Sequence, residues 1–219
     1  MEEKTEQIPM PKVKIILASA SPRRKQLLED EGVEFEVRVP QTPIDEELEP
    51  DLLNNPPEAV KKLAEKKAGA IIQEILAEDF TGMAAVIGAD TVVALDNEIY
   101  GKPRSISDAK HILRSLSGRT HQVHTGVSVW LVSAPTVEDV SLGFRTFVDT
   151  SSVTFKQLSD EEIDAYIKKG ESFDKAGAYA IQGQGSILVQ SYEGALDNII
   201  GLPAKRLIEE FAEIFEAAR

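Results

Sequence analysis

The chain has 219 residues, of which 42% are hydrophobic and 28% are charged, as in an ordinary globular protein with a substantial core. Its formal net charge of −13 argues against a broad nucleic-acid interface, which needs a basic face. It contains no cysteine, which excludes disulfides, and no apolar run approaches the ~20 residues of a membrane span. We therefore expect a cytoplasmic protein with no nucleic-acid or membrane partner.

The N-terminal residues are polar and acidic, unlike a secretory signal or an arginine-rich transit peptide. We interpret residues 1–12 as a flexible extension. Residues 13–219 contain no repeat and no linker, so we interpret them as one α/β domain.

The segment Val13–Glu31 predicts a buried strand, a small-residue turn and a helix. Ser21 is a good N-cap, and Pro22 suits the first helical position. Arg23 and Arg24 then fall in the first helical turn, where the helix dipole favours acidic side chains. Two guanidinium groups beside free backbone N–H groups indicate an anion site, most simply for phosphate. The alternative is a pair of solvated arginines.

A half-buried strand is predicted over residues 35–39, followed by a polar, proline-rich loop over residues 41–56. The acidic cluster 44–47 in this loop is most simply a solvated charge run. A helix with an apolar stripe is predicted over residues 57–78. Lys67 falls within that stripe, where its ammonium either extends to solvent or points into a cleft.

Residues 84–95 predict a buried strand interrupted at Gly88–Thr91. Burying Asp90 in this run would cost several kcal/mol unless it is paired or binds a metal. We favour a site carboxylate over a structural aspartate that bonds a nearby turn. Gly88 would allow a backbone or a ligand to approach closely.

Asp96 and Asn97 predict a hairpin turn, whose return strand brings Lys102 back toward Asp90. Ser107 is predicted to cap the next helix. Long alternating segments then predict two antiparallel strands, over residues 121–132 and 144–156.

His121 and His124 lie in the first of these strands without a matching cysteine or acidic ligand. We interpret them as ordinary polar positions and not as a zinc pair. The glycine-rich segment 174–185 carries Asp174, Lys175 and Gln182, although such a loop alone is weak support for a ligand site. The other predicted elements are a helix from Ser159 to Gly170, a strand over residues 187–190 and a last helix after residues 198–203.

Several motifs occur in a fixed order: SASPRR, EKKA, GADTVV, GKP, LSGRTHQVHTGV, DKAGAYAIQG and NIIGLP. The ordered set resembles the Maf family of nucleoside triphosphate pyrophosphatases, from about Lys14 to about Phe215. The resemblance implies two α/β lobes around an elongated mixed sheet flanked by helices, akin to the inosine triphosphatase fold, with a central cleft as active site. It also implies hydrolysis of a nucleoside triphosphate to monophosphate and pyrophosphate with Mg²⁺ or Mn²⁺, and it leaves a homodimer open.

The resemblance further implies roles for individual residues. Asp90 matches the proton acceptor, and sequence leaves open whether it is base, metal ligand or both. Glu46 matches an acidic site position that would share the metal with Asp90, which replaces the interpretation of this loop as solvated. The phosphate-handling positions are matched by Ser19, Arg23, Arg24, Lys67 and Lys102, of which the two lysines would act in catalysis, and the second-lobe wall of the cleft is matched by Asp174 and Lys175.

Base preference is implied by Arg23, Thr91 and Gln182, which resemble the branch acting on dTTP, UTP and modified uridine triphosphates. The branch acting on 7-methyl-GTP tends to have Trp, Gln and Glu at these places. A glutamine amide complements the carbonyl and N–H of uracil or thymine. Two alternatives are a nucleotide-binding regulator of cell division with little turnover and an inosine triphosphatase with a different base profile.

Overall fold

The computed structural model describes residues 12–219, so the expected extension, residues 1–12, lies outside the described residues except for Lys12. The strands are β1 (Val13–Leu17), β2 (Glu36–Val37), β3 (Gly82–Leu95), β4 (Glu98–Tyr100), β5 (Thr120–Ala134), β6 (Ser141–Phe155) and β7 (Val189–Glu193). They form one sheet in the order β2-β1-β3-β5-β6-β7, with β4 also paired to β3. Because β1 is parallel to β2 and β3 while the other pairs are antiparallel, the expected mixed sheet is confirmed.

Helices cover both faces of the sheet and form two groups along its long strands. They are α1 (Pro22–Asp30), α2 (Pro56–Ala77), α3 (Ile106–Leu116), α4 (Asp160–Ile167), α5 (Leu196–Ile200), α6 (Ala204–Glu210) and α7 (Ala212–Ala218). At the β1 end, α2 packs on one face, and α1, α6 and α7 pack on the other. At the opposite end, α3 and α4 enclose a separate apolar core. No helix within residues 12–219 has both the length and the apolar character needed to cross a membrane.

The central strand β3 has a short free edge. β1 pairs with residues 83–87 of β3, and β4 pairs with residues 93–95 on the same side. Among the described strands, none pairs with residues 88–92 on this side, although β5 pairs with them on the other. A ligand at this gap can therefore reach side chains from both faces of the sheet.

Several predicted boundaries are wrong for reasons of pairing and capping. β3 is not interrupted at Gly88–Thr91, because the ladder to β5 continues through these residues. β2 has only two residues, since its pairing with β1 ends at Val37. Ser105, not Ser107, caps α3, because its side chain accepts a hydrogen bond from the backbone N–H of Asp108.

The second half of the chain also differs in detail from the prediction. β5 and β6 extend further than predicted, which shortens their connection to residues 135–140. The last strand begins at Val189 instead of residue 187. The C-terminal segment has two helices, which are separated at Phe211.

The local signals for turns and caps are confirmed. Ser21 accepts a hydrogen bond from the backbone N–H of Arg24, and Ser159 forms the predicted capping box. Asp96 and Asn97 both have positive φ, as a tight hairpin turn requires. His121 and His124, which the sequence predicts to be ordinary polar positions, are buried in the structure. Burial lowers the pKa of both side chains, that of His121 to about 4.

Two glycines allow α2 to lie close to the sheet. A Cβ added at Gly88 would lie 2.3 Å from the backbone oxygen of Ala64, so the expected close approach is made by a backbone. A Cβ at Gly126 would lie 2.4 Å from the carbonyl group of Val60. The position of α2 on β3 and β5 therefore depends on these two glycines.

Gly126→Ala should destabilise the protein by about 1–3 kcal/mol, because the added methyl group forces α2 away from β5. Urea unfolding of the two proteins measures the change. Gly143→Ala in β6 is the matched control, since its Cβ would meet nothing within 4 Å. Equal unfolding midpoints for Gly126→Ala and Gly143→Ala would contradict this account of the packing.

Candidate active site

A cavity of about 750 Å³ opens at the free edge of β3 and continues between the two groups of helices. This volume is typical of a site for a nucleotide-sized ligand. Every residue that the sequence suggested for the site lines this cavity: Ser19, Arg23, Arg24, Glu46, Lys67, Asp90, Thr91, Lys102, Asp174, Lys175 and Gln182. The structure brings these residues together, and their individual roles stay predictions.

Asp90 and Lys67 form a close ion pair at the base of the cavity. Asp90 lies on the face of β3 that α2 covers, and the Lys67 Nζ lies 2.5 Å from its Oδ1. The two side chains are only 13% and 15% exposed. Lys67 therefore points into the cleft, and Asp90 is a paired carboxylate that lines it, while its role in the site stays a prediction.

Glu46 approaches the same lysine from the loop between β2 and α2. Its Oε1 lies 2.7 Å from the Lys67 Nζ. Burial by itself raises the pKa of Glu46, but the hydrogen bond and positive charge of Lys67, with further charge from Lys102 and Arg24, hold that pKa below its usual range. One ammonium group therefore lies between two carboxylates.

Glu46 and Asp90 are the two carboxylates that the family resemblance implies as ligands of a divalent cation. Mg²⁺ is usually bound by one or two carboxylates together with substrate phosphates, since it prefers oxygen ligands and keeps several waters. Glu46 and Asp90 supply such oxygens on either side of Lys67. Within residues 12–219 there is no group of three or more His, Cys, Asp or Glu suited to a metal, so an ion here would take further ligands from phosphate and water.

Arg24 is anchored on the opposite face of β3. Its Nε donates to the Gly201 carbonyl at 2.8 Å, and its Nη2 donates to the Thr91 hydroxyl at 3.1 Å. Its Nη1 lies 3.4 Å from the Ser19 hydroxyl. Burial lowers the pKa of Arg24, an effect that the nearby Asp90 charge partly offsets, and the guanidinium stays charged at neutral pH. The alternative of two solvated arginines is therefore wrong for Arg24.

The second wall of the cavity is linked to α1 by charge. Asp174 accepts from Arg23 at 3.2 Å and from Lys175 at 2.6 Å. Burial raises the pKa of Asp174, but these two hydrogen bonds outweigh it and lower the pKa. Lys175 is held by a further bond to the Glu171 carbonyl at 2.8 Å. The Arg23–Asp174 ion pair therefore joins the two sides of the cleft.

The cavity also has an apolar part. Val93 and Val123 come from the sheet, Tyr179 and Ile181 come from the glycine-rich segment, and Ile199 comes from α5. All five belong to or pack against the core enclosed by α3 and α4. Gln182 lines the same cavity and adds an amide to this wall. The cleft therefore combines a charged region with apolar surface suited to a flat ring.

Two buried polar residues behind the cavity were missed by the sequence analysis. Thr125 lies directly opposite Thr91 in the ladder, with its Oγ1 3.0 Å from that of Thr91. Asn198 accepts from Thr125 through its backbone carbonyl at 3.0 Å. Their only signal was membership of the motifs LSGRTHQVHTGV and NIIGLP, to which no role had been assigned.

Several known proteins are similar to this chain over most of its length. A dTTP/UTP pyrophosphatase of Bacillus cereus is 42% identical over 200 residues, covering 91% of this chain and 95% of that protein. A dTTP/UTP pyrophosphatase of Bacillus anthracis has the same identity and coverage. The structure of a nucleoside-triphosphatase / dITP/XTP pyrophosphatase from Mycobacterium abscessus covers 94% of this chain and 95% of its own, at 14% identity and a TM-score of 0.44. That likeness is too weak to carry an argument.

The sequence profile of the Maf-like proteins matches residues 14–214, and these residues include every side chain of the proposed site. The match covers nearly the whole described part of the chain, which agrees with the ordered motifs. This chain belongs to the Maf-like protein family.

Proposed function

We propose that this protein is a nucleoside triphosphate pyrophosphatase that hydrolyses dTTP and UTP to the monophosphate and pyrophosphate. The observation that carries the proposal is the buried Asp90 paired to Lys67 and close to Glu46, at a free strand edge inside a nucleotide-sized cavity. The names of its bacillary relatives support the same reaction and substrates.

The cationic side chains of the cleft explain how an acidic protein could bind a triphosphate. The formal net charge of −13 repels polyphosphate at long range. The lining of the cavity contains five cationic side chains and three carboxylates, so its formal charge is positive: Arg23, Arg24, Lys67, Lys102 and Lys175 against Glu46, Asp90 and Asp174. A bound Mg²⁺, held by Glu46 and Asp90, would supply further neutralisation of the phosphate oxygens.

The chemistry requires a water molecule to attack the α-phosphorus while the bond from that phosphorus to the bridging oxygen breaks. Asp90 orients this water and accepts its proton at a carboxylate oxygen. The bridging oxygen leaves with the bonding electrons as part of pyrophosphate. Lys67 and Lys102 stabilise the negative charge that develops on the phosphate oxygens, and the Lys67 ammonium is already held in the site by Asp90 and Glu46 before reaction.

Pyrophosphate release from UTP, measured with Mg²⁺ and with a chelator, tests the proposal. We expect stoichiometric UMP and pyrophosphate with the metal and little product without it. Tight UTP binding with no pyrophosphate release under either condition would favour the regulator instead. The Mg²⁺ or Mn²⁺ requirement, the cytoplasmic location and a homodimer stay predictions.

Base choice gives a second test. UTP and dTTP should be hydrolysed well above CTP, ATP and GTP, because the Gln182 amide offers a donor and an acceptor to the uracil edge, and Arg23 and Thr91 help to fix the orientation that excludes cytosine. Gln182→Glu should lower kcat/KM for UTP by about 10–100-fold, since a carboxylate repels the uracil carbonyls and cannot donate.

Gln184→Glu is the matched control, because Gln184 lies two residues away, does not line the cavity and bonds Lys169. We expect this variant to keep the parent preference. Comparable kcat/KM for UTP and GTP in the parent would refute the pyrimidine preference and leave the pyrophosphatase reaction intact.

A further inference from the structure

A single polar layer separates two apolar cores on one face of the sheet. Thr91 of β3 and Thr125 of β5 are direct partners in the ladder, and Thr125 is fully buried. The residues two positions away along each strand are all apolar and buried, namely Ala89, Val93, Val123 and Val127. Two hydroxyl groups in such a place need hydrogen-bond partners, since a buried unpaired hydroxyl is costly.

The direction of the hydrogen bonds in this layer follows from the one carbonyl that Thr125 contacts. The Thr125 hydroxyl must donate to the Asn198 carbonyl, 3.0 Å away, because a carbonyl oxygen can only accept. Thr125 has then used its one proton, so Thr91 is the donor in the 3.0 Å contact to Thr125, which is shorter than the 3.3 Å contact of the same hydroxyl with the Gly201 carbonyl. The Thr91 oxygen is left to accept from the Arg24 Nη2. The order is therefore Arg24, Thr91, Thr125 and the Asn198 carbonyl, with each bond polarising the next.

Asn198 also fixes the second anchor of Arg24. Its fully buried side-chain amide donates to the Val123 carbonyl at 3.1 Å and to the Ser151 hydroxyl at 2.8 Å. These bonds tie α5 to β5 and β6. Gly201, which directly follows α5, accepts the 2.8 Å bond from the Arg24 Nε. Both the Nε and the Nη2 of Arg24 are therefore positioned through groups that depend on Asn198.

We propose that Thr125 and Asn198 are positioning residues that aim the Arg24 guanidinium at the triphosphate. The inference rests on the proposed function, in which Arg24 binds phosphate. Arg24 has five N–H donors, and the anchors hold it by one edge, which leaves other N–H groups for the ligand. Thr91, which the resemblance connects with base preference, then also acts on phosphate binding through Arg24.

The test is a double-mutant comparison in the full chain. Thr125→Val removes the hydroxyl with little change in shape. It should weaken binding of a non-hydrolysable UTP analogue about 10-fold and raise KM for UTP by a similar factor. In an Arg24→Ala background the same substitution should have no further effect, since its only route to the ligand is lost. Thr125→Ser should restore parent binding.

Thr146→Val is the matched control, because Thr146 lies on the opposite face of the sheet and bonds Glu65 and Ser128. We expect parent affinity for it. If Thr125→Val does not fold, Ser151→Ala, which removes one acceptor of the Asn198 amide, should give the same coupling to Arg24 with a smaller effect, about 3-fold.

A full and independent effect of Thr125→Val in the Arg24→Ala background would overturn the proposal, as would parent affinity for Thr125→Val alone. Failure of the proposed function looks different: the parent would release no pyrophosphate from UTP. The binding comparison still decides the positioning role in that case.

Discussion

Asp90→Asn should lower kcat for UTP by about 10²–10⁴-fold and leave the fold and nucleotide binding intact. Asparagine has the same shape and keeps an oxygen that can accept from Lys67, so the ion pair becomes a hydrogen bond without a cavity. The amide cannot accept a proton from water. The loss should therefore appear in kcat and not in the affinity for a non-hydrolysable UTP analogue measured without Mg²⁺, where Asp90 has no metal to hold.

Asp96→Asn is the matched control for this substitution. Asp96 lies at the far end of β3, pairs with Arg119 at 2.6 Å and does not line the cavity. It has φ of 54°, which asparagine tolerates well. Pyrophosphate release, urea unfolding and analogue binding should all match the parent. A folded Asp90→Asn protein with near-normal kcat would contradict the assignment of Asp90 as the general base.

That Asp90 needs a charged or metal partner could be predicted from the sequence, because a carboxylate is unfavourable among its apolar neighbours. A carboxylate within a run of small and β-branched residues needs a partner, whatever the fold. Where that partner comes from could not be predicted. The gap that opens the site exists because β1 pairs with β3 only up to residue 87 of β3, and β4 pairs with it only from residue 93. The lengths of such pairings are set by tertiary packing.

The contact between Glu46 and Lys67 is harder to predict from the local sequence than the burial of Asp90. From the residues alone its acidic loop is most simply a solvated charge run, and Glu46 is in fact 54% exposed. Its 2.7 Å contact with Lys67 joins residues 21 positions apart, on a loop and a helix. No periodicity or turn signal encodes this contact, so only the family resemblance indicated it.

The polar layer behind Arg24 could not be predicted for the same reason. Thr91, Thr125 and Asn198 are distant in sequence and look ordinary among their neighbours. Each becomes informative only when the register of β3 against β5 places Thr91 opposite Thr125. Register in turn depends on which faces are buried, and that is a property of the whole sheet.

Lys67→Met should lower kcat/KM for UTP by about 10²–10³-fold, because it removes a fixed positive charge from the reacting phosphates. Methionine keeps the length of the apolar stem, so packing against the sheet is preserved. The loss should grow with the number of phosphates on the ligand and be small for uridine. Binding of UTP, UDP, UMP and uridine to the variant measures this dependence.

Lys66→Met is the matched control, since it removes the same charge one residue away on α2. Lys66 does not line the cavity, and its Nζ bonds the Asp45 carbonyl at 3.1 Å. Overall charge falls equally in the two variants, so a difference between them reports position and not net charge. We expect Lys66→Met to stay within about 2-fold of the parent, because exposed lysine contacts contribute little.

The pH dependence of UTP hydrolysis should also differ between Lys67→Met and Lys66→Met. In the parent, burial raises the pKa of Glu46, but Lys67 together with the charges of Lys102 and Arg24 lowers it below its usual range, so this carboxylate stays ionised to lower pH than usual. Without Lys67 that pKa must rise, and Glu46 takes up a proton at a higher pH. The acid limb of the pH–rate profile should therefore move to higher pH in Lys67→Met and stay in place in Lys66→Met. If both lysine variants keep the parent profile and hydrolyse UTP equally well, Lys67 has no part in the chemistry.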